Sequence, residues 1–259
     1  MNQLITPIKC QTVENLKVKI FENRTLMGSA VAFEVAERMK ELLDVKQTIR
    51  MVFAAAPSQN EFLEVLRQDK SLEWNRVEVF HMDEYIGLSK ETPQSFSWFL
   101  CDKLFNMVRP KEVHLINGTN DPYAECERYE KLLTEAPIDI ICLGIGENGH
   151  IAFNDPPVAD FSDPKRIKQV ELDEKCRQQQ VNDGCFETIN DVPSHAITLT
   201  IPTIISGSYL YCIVPGETKK EAVYNTMNGP ISTECPASIL RRHKNCQLYL
   251  ERGSYGKLN

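Results

Sequence analysis

The segment HMDEY, from His81 to Tyr85, places two carboxylates directly after an apolar run. A carboxylate at the end of a buried strand can act as a general base that removes a proton from a carbon next to a carbonyl. One of the two, Asp83 or Glu84, is expected to point over the edge of the sheet and to be available for this role. The alternative is structural, because an aspartate in this position can also cap the next segment or pair with an arginine.

The segment GIGENGHIAFNDPP, residues 144–157, follows the apolar run IDIICL and contains His150. Its glycines, Gly146 among them, permit tight turns and a close approach of the backbone to a ligand. Asn148 and Asp155 are near enough in sequence to fix the tautomer of His150, as an acid–base histidine requires. A structural, hydrogen-bonding histidine is the alternative. The segment resembles a dinucleotide fingerprint only weakly, since GIGENG is one residue short of GxGxxG and no helical pattern follows.

A third polar cluster, Ser58, Gln59 and Asn60, follows the apolar run IRMVFAAAP. These side chains can donate hydrogen bonds at the start of a helix, where anions bind readily. In an open α/β sheet, ligands bind beyond the carboxyl ends of the strands. Because all three polar clusters follow apolar strand-like runs, we expect them to meet at that edge of one sheet.

Hydrophobic periodicity predicts strands that alternate with helices. Continuous apolar runs indicate buried strands, and apolar residues at helical spacing indicate amphipathic helices. The predicted strands are 48–57, 76–82, 113–118, 138–146, 166–172, 195–201, 209–215 and 246–251, and the predicted helices are 26–43, 60–68, 95–107, 124–133, 219–227 and 236–241. This alternation predicts an α/β fold with a largely parallel sheet and helices on both faces. Residues 1–259 are predicted to form a single domain, with irregular polar segments near 155–165 and 181–194 as candidate lids.

Composition excludes several classes of protein. The net charge of −7 disfavours nucleic-acid binding, and no apolar run approaches membrane-spanning length. Nine cysteines without a CxxC or other metal-like pair indicate a reducing compartment, so we expect a cytoplasmic protein with no metal site and no cofactor. The first thirteen residues lack a basic region followed by an apolar one, and we therefore expect no signal peptide.

The motifs MDEYIGL and GIGENGHIAFNDP closely resemble those of the glucosamine-6-phosphate deaminase (isomerase) family. That family shares its fold with the 6-phosphogluconolactonases. The resemblance runs from the strand near 48 to about 225 and rests on two long, specific motifs. It implies a modified Rossmann-like, three-layer α/β sandwich. The implied activity opens the ring of an amino-sugar phosphate, moves a proton between C2 and C1, and releases ammonia to give fructose 6-phosphate.

The resemblance also implies roles for particular residues. Asp83 matches the proton-shuttling base, and His150 matches the histidine that opens the ring. Asn148 and Asp155 stand where the family has an aspartate and a glutamate that orient this histidine. Lys219, in VPGETKKEAV, matches a phosphate-binding lysine. The glycines around Gly146 are expected to let the loop curl under a sugar.

The sequence departs from the family pattern at the phosphate site and beside the histidine. The family's Gly-Gly-Thr or Gly-Gly-Ser phosphate loop is replaced by AAAPSQNEF, which contains no glycine. A family arginine expected after Arg166 has no clear match, and Arg177 or the glutamines beside it are the substitutes we consider. With Asn148 in place of an aspartate, one negative charge near His150 is lost, and an amide stabilises an imidazolium less than a carboxylate does.

Three functions are consistent with these residues. The first is an amino-sugar-phosphate deaminase and isomerase. The second is a lactonase-type hydrolase, although the lactonases lack so long a match to HMDEYIGL. The third is a catalytically weak sugar-phosphate sensor, suggested by the divergent phosphate loop. In each, the partner is a small sugar phosphate, and the sequence leaves a homo-oligomer open.

Overall fold

An eight-stranded sheet organises the chain in a computed structural model that describes residues 5–256. The strands are β1 (Lys9–Val13), β2 (Leu16–Phe21), β3 (Ile49–Phe53), β4 (Val77–His81), β5 (Asp83–Tyr85), β6 (Glu112–His114), β7 (Ile140–Leu143), β8 (Ile167–Glu171), β9 (His195–Leu199), β10 (Tyr209–Val214) and β11 (Cys246–Glu251). The order in the large sheet is β1-β2-β11-β10-β7-β3-β4-β6. Every neighbouring pair is parallel except β1 and β2, which form an antiparallel hairpin. The ends of the predicted domain, residues 1–4 and 257–259, lie outside the described residues.

The central strands are apolar because both of their faces are covered. All five residues of β3 and all four of β7 are buried. In a parallel sheet with helices on both faces, such strands appear as continuous apolar runs rather than as alternating ones. This is the pattern from which the sequence predicts them, and the largely parallel sheet is confirmed.

Helices connect the strands of the large sheet. They are α1 (Arg24–Leu43), α2 (Asn60–Gln68), α3 (Phe96–Leu100), α4 (Asn106–Val108), α5 (Pro122–Thr134), α6 (Glu174–Asn182), α7 (Ile201–Ile205), α8 (Lys220–Asn228) and α9 (Arg252–Tyr255). One π-helical turn, Cys101–Phe105, joins α3 to α4. The side chain of Asn23 caps α1 by accepting a hydrogen bond from the Leu26 N–H at 3.0 Å.

Two apolar cores, one on each face of the sheet, produce the predicted three layers. Met27, Val31 and Val35 of α1 pack with α2 and one face of the sheet. On the opposite face, Tyr129 of α5 and Val223 of α8 pack with the side chains that alternate to that side. Successive residues of a strand point to opposite faces, so neighbours in one strand belong to different cores.

The strands predicted at 166–172 and 195–201 do not join the large sheet. They form β8 and β9, which pair antiparallel with each other and with β5 in a separate three-stranded sheet. The burial pattern of β8 is mixed, with Lys168 and Glu171 less covered than Ile167. A partly exposed strand of this kind suits an antiparallel sheet with one open face better than a doubly covered parallel one.

Other elements differ from the sequence prediction in the polar segments. The hairpin of β1 and β2 precedes the first predicted element, and α6 forms where no helix was predicted. The proposed lid at 181–194 includes the last residues of α6 and the 3₁₀ turn Ile189–Asp191. The roles of 155–165 and 181–194 as lids stay predictions. No helix within residues 5–256 is both long and apolar enough to cross a bilayer.

The chain changes direction across the sheet between β3 and β7. From β3 the strands proceed outward to β4 and β6, whereas β7 lies on the other side of β3 and leads to β10 and β11. Such a switch point leaves a crevice at the carboxyl ends of the adjoining strands. The residues that follow β3, β4, β7 and β10 therefore meet at one edge of the sheet.

Candidate active site

A cleft at this switch point contains six of the nine residues predicted for the site. The predicted residues that line it are Ser58, Gln59, Asp83, Gly146, His150 and Lys219. They come from different segments, and the parallel strands bring them together. Asn148 and Asp155 lie behind His150 rather than on the wall of the cleft. Asn60 does not line it either.

Asp83 lies at the start of β5, on the floor of the cleft. Its side chain is only 6% exposed. Burial, reinforced by the nearby charge of Glu84, raises the pKa of Asp83 well above the usual value of an aspartate. A carboxylate with a raised pKa holds a proton more tightly, and it is therefore both a stronger base and a group that can return the proton.

Glu84, the neighbouring carboxylate, has a structural role. It accepts hydrogen bonds from the backbone N–H groups of Tyr85, Phe96 and Ser97 and from the Ser97 hydroxyl, at 2.7–3.0 Å. It thus satisfies the free N–H groups at the start of α3. Burial raises the pKa of Glu84 in spite of these hydrogen bonds. Because successive strand residues face opposite sides, Glu84 faces α3 while Asp83 faces the cleft.

The loop after β7 is shaped by backbone hydrogen bonds around two glycines. The Gly146 N–H donates to the His150 carbonyl at 2.9 Å, and the Gly149 N–H donates to the Gly146 carbonyl at 3.0 Å. Gly149 adopts a φ of +85°, which favours glycine. A Cβ atom on Gly146 would overlap the imidazole ring of His150. Position 146 therefore accommodates the ring only when it is glycine.

Asp155, rather than Asn148, contacts the ring of His150. Asp155 Oδ1 lies 2.8 Å from His150 Nδ1, although off the direction of the ring N–H. Asn148 stands behind this pair: its Nδ2 donates to Asp155 Oδ1 at 2.9 Å, and its Oδ1 accepts from the His150 backbone N–H at 3.1 Å. Burial opposes the ionisation of Asp155, but the attraction of His150 and the hydrogen bond from Asn148 outweigh it and hold its pKa below the usual value. The ring of His150 thus has a carboxylate next to it.

The other end of the cleft offers a cation and neutral hydrogen-bonding groups. Lys219, at the start of α8, is only 6% exposed, and burial lowers the pKa of its ammonium against the opposing charges of Asp183 and Glu147. Across from it, the Gln59 side-chain amide donates to Ser58 Oγ at 3.0 Å. This arrangement can bind an anion without a glycine loop.

The sequence predicts Asn60 in the anion site and gives no indication that Arg24 lines the same cleft. Asn60 is the first residue of α2 and is absent from the lining of the cleft, since Ser58 and Gln59 form a 3₁₀ turn before it. Arg24, the first residue of α1, does line the cleft and is ion-paired with Glu61 at 2.5 Å. Recognition of β2 in the sequence would have indicated Arg24. This parallel strand, residues 16–21, leads directly into α1 and so places the start of α1 at the same edge of the sheet.

Helix α6 covers one side of the cleft with amides instead of an arginine. Gln179 and Gln180 line the cleft, together with Asp183. The Gln179 Oε1 accepts a hydrogen bond from the Glu147 N–H at 2.8 Å and thereby joins α6 to the loop that contains His150. Arg177 does not substitute for the expected arginine, since its guanidinium donates to the carbonyls of Ile189 and Val192.

The fold and the cleft define an α/β protein with a carboxylate and a carboxylate-paired histidine at the switch point of its sheet. Residues 22–249 match the family described as "Glucosamine-6-phosphate isomerases/6-phosphogluconolactonase", and the chain belongs to that family. A glucosamine-6-phosphate deaminase of Bacillus cereus (strain B4264) is 37% identical over 208 residues, which are 80% of this chain and 77% of that protein. One of Listeria welshimeri is 35% identical over 231 residues, 89% of this chain and 94% of that protein.

Solved structures agree with the architecture. A monomeric glucosamine-6-phosphate deaminase superposes with a TM-score of 0.84 at 31% identity, covering 92% of this chain and 98% of that one. A 6-phosphogluconolactonase from Thermotoga maritima gives a TM-score of 0.75 at 20% identity, covering 93% and 100% of the two chains. The second likeness shows the fold alone. The Rossmann-like fold and the family that the two sequence motifs predict are both confirmed.

Proposed function

We propose that the protein converts an amino-sugar phosphate, glucosamine 6-phosphate, and water into fructose 6-phosphate and ammonia. The observation that carries this proposal is the presence of Asp83 and the His150–Asp155 pair in one cleft. The relatives at 35–37% identity bear the name glucosamine-6-phosphate deaminase, and this supports the choice of substrate.

In the proposed first step, His150 opens the sugar ring. The imidazole transfers a proton from the anomeric hydroxyl to the ring oxygen while the bond between C1 and that oxygen breaks. An imidazolium forms during this transfer, and the carboxylate of Asp155 stabilises it from the Nδ1 side. Asn148 keeps Asp155 in position through its hydrogen bond.

In the proposed second step, Asp83 shuttles a proton between two carbons. Its carboxylate removes the proton from C2 of the open-chain aldehyde, the electron pair forms a C1–C2 double bond, and O1 takes up a proton. The same carboxyl then delivers its proton to C1, and the nitrogen on C2 releases a proton to solvent in exchange for the one that O1 took up, which leaves an imine at C2. Water adds to this imine, and ammonia departs as the C2 carbonyl of fructose 6-phosphate forms. The buried site favours this shuttle because it raises the pKa of Asp83.

We assign the phosphate group to the end of the cleft formed by Lys219 and the turn of Ser58 and Gln59. The buried ammonium supplies the positive charge, and the Ser58 hydroxyl, which accepts from the Gln59 amide, supplies a hydrogen-bond donor. Arg24 lies in the same lining and adds a second cation. The turn that replaces the family's phosphate loop contains no glycine. We therefore expect side chains, rather than backbone N–H groups, to make most of the contacts with the phosphate.

The test is ammonia release from glucosamine 6-phosphate by the wild-type protein and by Asp83→Asn. The amide has nearly the shape of the carboxylate and cannot take a proton. We therefore expect kcat to fall by roughly 10²–10⁴-fold while KM changes little. Unchanged turnover in this variant would remove Asp83 from the mechanism. Binding of hexosamine phosphates without any ammonia release by the wild-type protein would favour a sensor, and hydrolysis of a 6-phosphogluconolactone instead would favour a lactonase.

Lys219→Ala tests the phosphate assignment separately. The loss of a buried charge-assisted contact is expected to raise KM for glucosamine 6-phosphate by about 10–100-fold. The activity on unphosphorylated glucosamine, measured in parallel, is expected to change far less. An equal effect on both sugars would show that Lys219 stabilises the fold around the cleft and does not bind the phosphate.

We also place this activity in the cytoplasm. All nine cysteines lie within residues 5–256, and each is a free thiol. Free thiols in this number are typical of a reducing compartment.

A further inference from the structure

Three side chains that are far apart in the sequence meet behind the wall of the cleft. His150 Nδ1, a carboxylate oxygen of Asp155 and Cys176 Sγ all lie within 4.8 Å of one another, and all three residues are buried. They are the one such group of metal-binding side chains within residues 5–256. Cys176 comes from α6 and does not line the cleft.

Two polar atoms of this cluster lack satisfactory partners. Asp155 Oδ2 and His150 Nδ1 are both buried and have no well-aligned hydrogen bond within the described part of the chain. His150 is 8% exposed and Asp155 only 1%. Buried polar atoms are almost always paired, because an unpaired one loses its hydrogen bonds to water without replacement. A cation bound between these atoms would satisfy both.

The donor set indicates which cation. An imidazole nitrogen, a carboxylate oxygen and a thiolate sulfur together suit zinc, whereas magnesium and calcium prefer oxygen ligands alone. Zinc bonds of roughly 2.0–2.3 Å require ligand atoms about 3.3–3.8 Å apart. The three ligand atoms lie within 4.8 Å of one another, and the Asp155 carboxylate must turn so that its 2.8 Å contact with His150 Nδ1 widens to that spacing. Three protein ligands leave a fourth position for water.

We propose that His150, Asp155 and Cys176 bind a zinc ion, and that this ion inhibits the enzyme reversibly. The inhibitory part rests on the function proposed above, whereas the binding part does not. When the ion binds, a Zn–S bond forms and the thiol proton passes to solvent. The ion then occupies Nδ1 of His150, and Asp155 becomes its ligand instead of the partner of the ring.

Inhibition follows from the tautomer that the ion imposes on His150. Ring opening requires the imidazole to accept a proton at its other nitrogen, Nε2. With zinc on Nδ1, the neutral ring carries its single proton on Nε2, so that nitrogen has no free lone pair to accept another.

The first measurement is calorimetric titration of zinc into the chelator-stripped full-length protein. We expect one equivalent to bind, and Cys176→Ala to weaken binding at least tenfold. Cys185→Ala, which alters another thiol just beyond α6, is the matched control and should bind as the wild type does. Cobalt(II) should give a thiolate charge-transfer band in the near ultraviolet that Cys176→Ala abolishes. If Cys176→Ala does not fold, Cys176→Ser serves instead, since a hydroxyl is a poor zinc ligand.

The second measurement is ammonia release in the presence of zinc. Zinc should reduce kcat of the wild type and of Cys185→Ala, a chelator should restore it, and Cys176→Ala should need at least tenfold more zinc. Equal binding, or equal inhibition, in the wild type and Cys176→Ala would overturn the site. Tight zinc binding that depends on Cys176 in a protein that releases no ammonia would leave the site intact and count against the proposed function alone.

Discussion

Asp155 is the residue that contacts the imidazole ring of His150. The sequence suggests that the amide of Asn148 has replaced a carboxylate beside the histidine, with a loss of charge. In the structure the remaining carboxylate contacts Nδ1 directly, and the amide contacts that carboxylate. The shorter side chain of Asp155 therefore reaches the ring, and Asn148 is one step further from the chemistry.

This arrangement predicts unequal effects of two substitutions. Asp155→Asn should lower kcat for ammonia release by up to about 10⁴-fold, because an amide neither stabilises the imidazolium nor secures its tautomer. That magnitude is taken from the corresponding change in serine proteases. Asn148→Ala should lower kcat by less, about 10-fold, since it removes only a support of Asp155. Steady-state kinetics on both variants measure the difference, and a larger loss in Asn148→Ala would contradict this order.

Gly146 offers a second prediction at the scale of a residue. In Gly146→Ala the added methyl group would overlap the His150 ring, and the imidazole must move away from its position beside Asp155. We expect kcat to fall by at least 10²-fold. Gly144→Ala, in the same loop, is the control, because its methyl would come no closer than 3.4 Å to the Gln59 amide. Circular dichroism should show that both variants fold. Similar kinetics in the two variants would mean that Gly146 does not fix the ring.

Helix α6 is the element that most distinguishes this cleft. It places Gln179 and Gln180 on the lining, holds the Glu147 N–H, and carries Cys176 on its inner side. The neighbouring Arg177 is used to hold residues 189–192 in place. Helix α6 therefore presents amides to the cleft, whereas its arginine holds the segment that follows the helix.

Gln180→Arg tests whether α6 faces the phosphate. A guanidinium at this position can form charge-assisted hydrogen bonds to phosphate oxygens, which are worth about 1.5–3 kcal/mol each, less the cost of ordering the side chain. We expect KM for glucosamine 6-phosphate to fall roughly 5–10-fold, with little change for unphosphorylated glucosamine. Arg177→Gln is the comparison, and it should lower thermal stability instead. Tighter binding of both sugars by Gln180→Arg would place α6 away from the phosphate.

At the scale of the whole molecule, buried titratable groups make stability depend on pH. Burial lowers the pKa of His81 to about 3, and its Nε2 accepts a hydrogen bond from the Ile116 N–H at 2.7 Å. Between about pH 6.5 and pH 3, the unfolded chain therefore binds a proton at His81 that the folded protein does not bind. Stability should fall progressively as the pH drops from about 6.5 toward 3.

Asp83 acts in the opposite direction. Its pKa is raised in the folded protein, so the folded state holds a proton that the unfolded state loses near pH 3.9. The stability that this proton provides is present at low pH and is lost as the pH rises through the folded pKa. Asp83→Asn should therefore raise Tm at pH 8, by roughly 2–4 °C for each kcal/mol of removed penalty, and should not change it below about pH 4. Thermal melts across this range provide the measurement, and an unchanged Tm at pH 8 would mean that the buried carboxylate costs the fold nothing.

The sequence by itself determined six of the eight strands of the large sheet, the polar clusters at the carboxyl ends of three of them and the family. These features are short-range: an apolar run covered on both faces shows its burial in its own composition, and a motif of seven to thirteen residues carries its own identity. The predictions for β3, β4, β7 and β10 hold for this reason. The polar α6 and the exposed β1 leave a weaker local signal, and the sequence did not reveal them.

The tertiary structure alone decided which of several candidate side chains faces the cleft. Packing against α3 turns Glu84 away and leaves Asp83 on the floor, although the two residues are adjacent. The folding of the loop after β7 brings Asp155 rather than Asn148 to the ring. The approach of α6 places Cys176 beside them, at a distance along the chain that no spacing rule could connect. Orientation of this kind depends on contacts between segments remote in sequence, and local periodicity contains no information about such contacts.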